Sequence, residues 1–399
     1  MFAIVITSYL LLNAEKIFYL TLMVFHHLFK SERASNQMRY VKLRFWIILS
    51  LFLLFYLFVN YYALYSLAVL LKIPVNSPAF LIIVSLSVLF FPLMSLLAKY
   101  SNDWSVRGLY LLSAIWGGIL VFFILISIPL EIAGFILNIE REITNIAALM
   151  FALILASYSL LNALRLDVRH LEIPLEGLEK EMRIVHISDV HLGAIYGSDY
   201  LKRVVELANW QNPNMVLISG DLIDGSADLK DIDPDPLNRF KSEVFMSIGN
   251  HEQYEGIEKV KQFLSKTKIR LLSDELVEYK GLQIIGIDNP DEATGHFKKK
   301  SRLEKIKINK NKPSILMYHL PLGLEEANRY GINLQLSGHT HNAQMFPLNY
   351  IASLFFPRVN GIYEYNGTYL NVLSGTGTWG PPFRLGSRNE IAVIKLVKK

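Results

Sequence analysis

The chain reads as an α/β protein in two parts, a bundle of about five transmembrane helices over residues 1–165 and an α/β domain over 166–399. Two observations predict this. Hydrophobic residues make up 52% of the 399, and the excess lies ahead of residue 165 in stretches of bilayer length. Behind it, short β-branched runs alternate with amphipathic helical patterns, and five of the segments end in clusters of Asp, Asn or His.

In chain order, residues 45–71, 79–98, 109–130 and 145–164 are each predominantly apolar over about 20 residues, enough to cross a bilayer. A fifth stretch, 2–25, is interrupted by Glu15-Lys16 and reads either as a span or as an interfacial segment. It lacks a basic start and an Ala-x-Ala site, so no cleaved signal peptide is expected. Orientation follows from loop charge. Lys30, Arg33, Arg39, Lys42 and Arg44 oppose only Glu32 in 26–44; Lys99 and Arg107 flank the next basic loop; Arg165 and Arg169 follow the last span. The connector with Glu131, Glu140 and Glu142 is acidic. Positive charge alternates with the spans, which predicts a cytoplasmic membrane protein with everything beyond Arg165 in the cytoplasm. The absence of Cys agrees with a reducing compartment. Pro92 and Asn60 inside spans read as a kink and a helix-packing amide. No span centre carries paired charges, which argues against a channel or pump.

The linker 166–174 alternates polar and apolar residues and predicts an edge strand. Residues 200–210 and 254–266 predict amphipathic helices. Ile184-Val185-His186-Ile187-Ser188 precedes Asp189-Val190-His191, and Met215-Val216-Leu217-Ile218-Ser219 precedes Gly220-Asp221-Leu222-Ile223-Asp224. Gly249-Asn250-His251-Glu252 is the third cluster, Tyr318-His319 the fourth and Gly338-His339-Thr340-His341 the fifth. Polar side chains delivered at strand C-termini sit where open α/β sheets place their sites. Carboxylate, amide and imidazole without thiolate suit Mn, Fe or Zn. Gly220, Gly249 and Gly338 are expected to let the backbone turn sharply. In an extended segment, His339 and His341 would share one side.

These clusters in this order resemble the calcineurin-like metallophosphoesterase superfamily over about 183–342, continuing through Gly375-Thr376-Gly377-Thr378-Trp379-Gly380-Pro381-Pro382. The resemblance implies a four-layer α/β/β/α domain and two divalent metal ions, Mn²⁺ first, with Fe or Zn as alternatives. Asp189, His191 and His341 would hold one ion; Asn250, His319 and His339 the other; Asp221 would bridge them. Asp224 and Glu252 would orient a ligand imidazole or amide rather than bind metal. His251 stands where the family places a group that stabilises the transition state or protonates the leaving oxygen, a role that suits an imidazole near neutral pH. A structural role is the alternative. Water activated by the two ions would attack, so no Ser or Cys nucleophile is needed. Asn342-Ala343 departs from the Gly-Gly that often follows the last His pair.

Two further stretches bear on substrate. Lys298, Lys299, Lys300, Arg302, Lys305, Lys307, Lys310 and Lys312 oppose only Glu304 in 296–312, as a solvated loop or an attraction to anionic headgroups. No nucleic-acid-reading module accompanies them. Residues 345–357 carry no charge and are rich in aromatics; they are core, or an exposed apolar wall beside the metals that dips into the membrane. Some relatives with this layout act on lipid-linked pyrophosphate. The resemblance therefore points to hydrolysis of UDP-2,3-diacylglucosamine to lipid X and UMP at the cytoplasmic face, in lipid A biosynthesis. One soluble branch of those hydrolases has Arg where this chain has His251, which separates it from that branch. The alternatives are a broad phosphodiesterase or phosphatase acting on soluble nucleotides or other phospholipids, and a membrane scaffold with a relic domain. Filled ligand positions argue against the relic.

Overall fold

The computed structural model describes residues 36–289 and 302–399. The stretch 2–25 and Lys298, Lys299 and Lys300 therefore lie outside the described residues. Four helices among those described are long and apolar enough to cross a membrane: α1 (Asn36–Leu70), α2 (Pro78–Tyr100), α3 (Trp104–Leu137) and α4 (Arg141–Ala163). Their ends follow local chemistry. Ser77 accepts from the Phe80 N–H with Pro78 at the first helical position, Asp103 accepts from the Ser105 N–H, and Asn138 closes α3 in the left-handed conformation. Helix α1 begins nine residues ahead of the predicted apolar stretch, so Arg39, Lys42 and Arg44 continue the helix instead of forming a loop.

From Leu57 to Lys399 the chain folds as one unit. Within it, the Ser87 hydroxyl donates to Asn60 Oδ1 (2.6 Å), and the Trp116 indole N–H reaches Ser87 Oγ (2.8 Å) and Asn60 Oδ1 (3.1 Å). Asn60 is thus a buried amide tying α1, α2 and α3 together, as its position suggests.

Helix gives way to strand between Ala163 and Leu166. Strand β1 (Leu166–Leu175) is an edge strand, as the linker pattern predicts. It pairs in parallel with the last strand, β12 (Asn389–Lys398), which pairs antiparallel with β2 (Met182–Ile187). Parallel strands β3 (Met215–Ile218), β4 (Glu243–Met246) and β5 (Arg270–Leu271) complete the first sheet. Helix α5 (Ser198–Trp210) links β2 to β3; α6 (Asn250–Glu255) and α7 (Ile257–Leu264) follow β4. The predicted helix at 254–266 is broken because Gly256 takes φ +103.

The second sheet runs β10 (Gly361–Tyr365), β11 (Thr368–Val372), β9 (Leu334–Ser337), β8 (Ser314–Tyr318), β7 (Leu282–Ile287) and β6 (Glu275–Tyr279). Short helices α8 (Leu324–Arg329) and α9 (Leu348–Ala352) lie in its connections. Ile184, Met215 and Leu217 from the first sheet share a core with Ile284, Met317 and Leu336 from the second. Val185, Val216 and Ile218 point the other way, onto Leu201 and Val204 of α5 and Val260 of α7. Ile285 and Leu316 pack on Ala327 of α8. Both faces of these strands are buried, which explains why they read as continuous apolar runs.

The α/β domain is joined to the bundle by more than the chain. Phe383 is fully buried and stacks on Phe122 of α3, with ring centroids 5.7 Å apart. A Cβ on Gly118 would lie 2.3 Å from the Phe383 ring, so the missing side chain makes the notch. Asn162 donates to the Arg384 and Ser387 carbonyls (2.9 and 3.1 Å), and Asn389 donates to Ala163 O (2.7 Å). Arg107 Nε and Nη2 reach the carbonyls of Ala194 (3.0 Å) and Gly193 (3.3 Å), three and two residues beyond His191.

Candidate metal centre

The loops after β2, β3, β4, β8 and β9 converge, so residues distant in the sequence meet. Asp189, His191 and His341 can place one donor atom each within 4.8 Å of one another, and so can Asp221, His319 and His339. Asn250 joins the second group through its Oδ1, 2.9 Å from His339 Nδ1. The two groups touch: Asp221 Oδ2 is 3.1 Å from His319 Nε2 and 3.9 Å from His191 Nε2. All seven predicted ligand residues are therefore brought together, with Asp221 between the two sets.

The backbone delivers them in an unexpected way. Asp189, His191, Asp221, His339 and His341 all take left-handed φ values of 50–71°, a conformation that costs a non-glycine residue about 1–2 kcal/mol. His339 and His341 thus reach the site through a left-handed turn, not along an extended segment. Of the three glycines, Gly220 has the positive φ expected of it, +91°. Gly249 (φ −93°) and Gly338 are required by space instead. A Cβ there would lie 2.1 Å from Asp221 Oδ1 and 2.0 Å from Asp189 Oδ2 respectively. Asn342 and Ala343, where Gly-Gly often stands, also take positive φ, 49° and 51°, a strained conformation for residues other than glycine.

Supporting groups fix the donors. The Ser188 hydroxyl donates to Asp189 Oδ2 (2.5 Å), and the His339 N–H donates to Asp189 Oδ1 (3.0 Å). Asp224 Oδ1 lies 3.3 Å from His191 Nδ1. The Glu252 carboxylate accepts the backbone N–H groups of Asp221 (2.9 Å), Ile223 (3.0 Å) and Gly249 (2.8 Å), locking two loops together. Burial, with Asp221 nearby, pushes its pKa up to about 7.

His319 tests whether the cluster suits a cation. Its Nδ1–H donates to the Ser219 carbonyl (2.8 Å), which leaves a lone pair on fully buried Nε2. That lone pair faces Asp221 Oδ2 at 3.1 Å and Asp189 Oδ1 at 3.8 Å. Such a grouping is stable only with positive charge in it, a proton or a metal ion. Burial alone would lower the His319 pKa, but Asp221 and Asp189 outweigh it and push it up to about 10. Burial also opposes ionisation of Asp189, yet His341, His319 and His191 hold its carboxyl well below the ordinary range. Oxygen and nitrogen donors in such a field fit a borderline or hard divalent ion.

His251 lies at the rim, its ring edge-on to His191 with centroids 4.6 Å apart. Its Nδ1–H donates to the Asp224 carbonyl (2.7 Å), leaving Nε2 as the nitrogen that can exchange a proton. It also falls in a third grouping with His191 and Asp224. Exposed Tyr254 and Trp379 stand edge-on to His251, at 5.4 and 6.0 Å, and Phe356 stands 5.2 Å from His339. The opening is aromatic.

Sequence reading did not reach Arg384. It is the largest fully buried side chain; its guanidinium donates to His341 O (2.8 Å), Gly377 O (2.6 Å) and Asn389 Oδ1 (2.8 Å). Its own N–H donates to Ser159 O of α4, linking a predicted ligand to the bundle. The Pro-Pro-Phe-Arg run beside the quoted glycine segment was the available signal. The basic stretch is partly neutralised: Arg302 pairs with Asp274 and Lys312 with Glu278, each at 2.8 Å.

A family model described as calcineurin-like phosphoesterase matches residues 182–343. An uncharacterized metallophosphoesterase of Helicobacter pylori is 32% identical over 303 residues, 70% of this chain and 80% of that protein. One from Aquifex aeolicus is 33% identical over 266 residues, 63% of this chain and 99% of its own length. A Danio rerio transmembrane protein with metallophosphoesterase domain is 32% identical over 272 residues, 63% of this chain and 62% of that protein.

Proposed function

The chain belongs to the calcineurin-like metallophosphoesterase family and is a metal-dependent phosphoester hydrolase with apolar spans, and from that premise we propose that it cleaves a phosphate or pyrophosphate ester presented by the membrane. The observation that carries this reading is the position of the centre: its loops are bonded to the spanning helices, and its opening is aromatic.

In this reading Asp189, His191 and His341 would hold one ion, Asn250, His319 and His339 would hold the other, and Asp221 would serve both. Bound divalent ions, Mn²⁺ by preference, would supply an acidified water and a clamp for phosphoryl oxygens. The chain's own residues do the rest. Asp224 fixes the His191 ring from one side and, through its carbonyl, the His251 ring from the other. With Nδ1 committed, His251 presents Nε2 to the leaving oxygen and gives it a proton. Glu252 and Arg384 hold the loops in register through backbone groups. Tyr254, Trp379 and Phe356 keep water from the rim and receive an apolar leaving group.

The substrate that best fits is UDP-2,3-diacylglucosamine, cleaved to lipid X and UMP with the domain in the cytoplasm. The alternating basic loops support that orientation. The second reading is a phosphodiesterase acting on soluble nucleotides or other phospholipids. Purified protein given UDP-2,3-diacylglucosamine and a simple soluble diester, with and without Mn²⁺, separates them. UMP as product, with faster turnover of the lipid, supports the first reading. Turnover of the soluble diester alone supports the second, and no hydrolysis of either in any metal rejects both.

A further inference from the structure

We propose that residues 346–355 are a membrane-inserted wedge, whose apolar side chains enter the leaflet beside the spanning helices. Phe346 (48% exposed), Tyr350 (64%), Ile351 (54%), Leu354 (80%) and Phe355 (73%) all present their side chains outward within ten residues. Helix α9, in the middle, buries no residue at all. The segment has no charge to keep it in water, and a cluster of this kind on a soluble surface marks a contact. Composition allows core or an exposed membrane-dipping wall; the exposure favours the second.

What it contacts follows from where it is attached. Gln344 Nε2 donates to the carbonyls of Trp379 (3.0 Å) and Pro381 (3.2 Å), and the Phe346 N–H donates to Leu385 O (2.8 Å). The 379–387 segment is itself seated in the bundle: Phe383 against Gly118 and Phe122, Arg384 on Ser159, Ser387 on Asn162. Gly118 lies 14 residues into α3, about 20 Å along a helix whose 34 residues span about 50 Å. The hydrocarbon core is about 30 Å thick, so up to about 20 Å of α3 extends beyond it and the seat falls at the membrane boundary, as does Ser159, four residues from the end of α4. The exposed segment therefore starts beside helices at the level where they enter lipid, and the continuous neighbour available to it is the acyl boundary of the same leaflet. Aromatic and aliphatic side chains without charge, with a tyrosine among them, suit that boundary. At its far end Phe356 reaches His339, so the wedge leads from the leaflet to the centre. The inference concerns a surface and holds whichever ester is the substrate.

The absence of cysteine allows a direct test. Leu354→Cys and Phe355→Cys in the full chain, each carrying an environment-sensitive fluorophore, are reconstituted in phosphatidylcholine vesicles with and without brominated acyl chains. Ser265→Cys, on an exposed turn of the α/β domain, is the control. Bromolipid should quench the labels at 354 and 355 by about twofold or more and leave 265 unchanged, as expected of side chains buried in the acyl boundary. Quenching no greater than at 265 overturns the proposal. So does energy transfer between labelled copies that grows with protein density while bromolipid has no effect, which assigns the face to a second copy. Unchanged bound-metal content certifies that each labelled variant is folded. Because the readout is fluorescence, it fails or succeeds independently of any hydrolysis assay.

Discussion

Asp221 is the residue on which both halves of the centre depend, since its carboxylate approaches His319 and His191 from between them. Asp221→Ala should remove bound metal from both sites and reduce hydrolysis by more than the roughly 10–100-fold typical of a group that acts through a ligand. Elemental analysis and activity measured together check this, and metal retained at two equivalents would end the bridging role. His251→Ala should behave differently. Metal content should stay intact while kcat falls by roughly 10²–10⁴, the range of a positioned proton donor; loss of metal would make His251 a ligand, as its grouping with His191 and Asp224 allows. His186 sets an acid limit on the fold. Burial, then Arg169, holds its pKa down to about 3, and its ring contacts Ser219 and Asn371. The unfolded chain takes up this proton below about pH 6.5 and the folded one does not, so the stabilisation is complete above 6.5 and falls by about 1.4 kcal/mol per unit as pH drops towards 3. Thermal unfolding in detergent should show a lower midpoint at pH 5.5 than at 7.5, and His186→Gln should lose less between the two. The ligand types and their order were legible in the sequence, because strand-end Asp and His clusters announce themselves. Their left-handed backbone was not, since Asp and His, though enriched at positive φ, adopt it too seldom for their presence to decide; nor was the grip of Glu252 on three backbone amides, which needs loops about 30 residues apart to meet.

At the level of elements, the strands and spans were readable because both obey simple periods: apolar runs of four to six residues for buried strands, about 20 for spans. What the periods do not carry is how one element seats on another. Nothing in the apolar pattern of α3 marks Gly118 as the notch for Phe383, or Arg107 as the cap on the Gly193 and Ala194 carbonyls. Gly118→Leu should therefore be damaging although leucine is an ordinary span residue. It places side-chain atoms where the Phe383 ring lies, and overpacking of this kind costs about 1–3 kcal/mol. The expected result is faster proteolysis within 379–387 and a lower unfolding midpoint, with the protein still inserted. Unaltered proteolysis would show that the seat yields freely. The uncharged 345–357 run was ambiguous for a related reason: composition gives its apolarity and not the side on which its neighbours lie.

For the whole molecule, the orientation argument makes a single topological prediction. A reporter fused after Lys399 should behave as cytoplasmic, and one inserted in 131–142 as external. An external signal from the C-terminal fusion reverses the orientation and removes any substrate confined to the cytosolic leaflet. The bundle is also bonded to loops of the centre. Arg107 and Arg384 connect α3 and α4 to the loops bearing His191 and His341, so the membrane part cannot be treated as an anchor that leaves the chemistry untouched.

Strand β12 lies between β1, which leaves the last span, and β2, which leads to Asp189. It follows every ligand-bearing loop in the sequence. Until residues 389–398 emerge from the ribosome, the other five strands of the first sheet have a gap between β1 and β2. Asn389 then bonds Ala163 at the membrane and Arg384 beneath His341 as the gap fills. A chain cut short by a premature stop keeps its membrane helices and all seven ligand residues but lacks the strand that joins them. A copy lacking residues 389–398 is therefore expected to capture less metal and to offer open sheet edges to proteolysis.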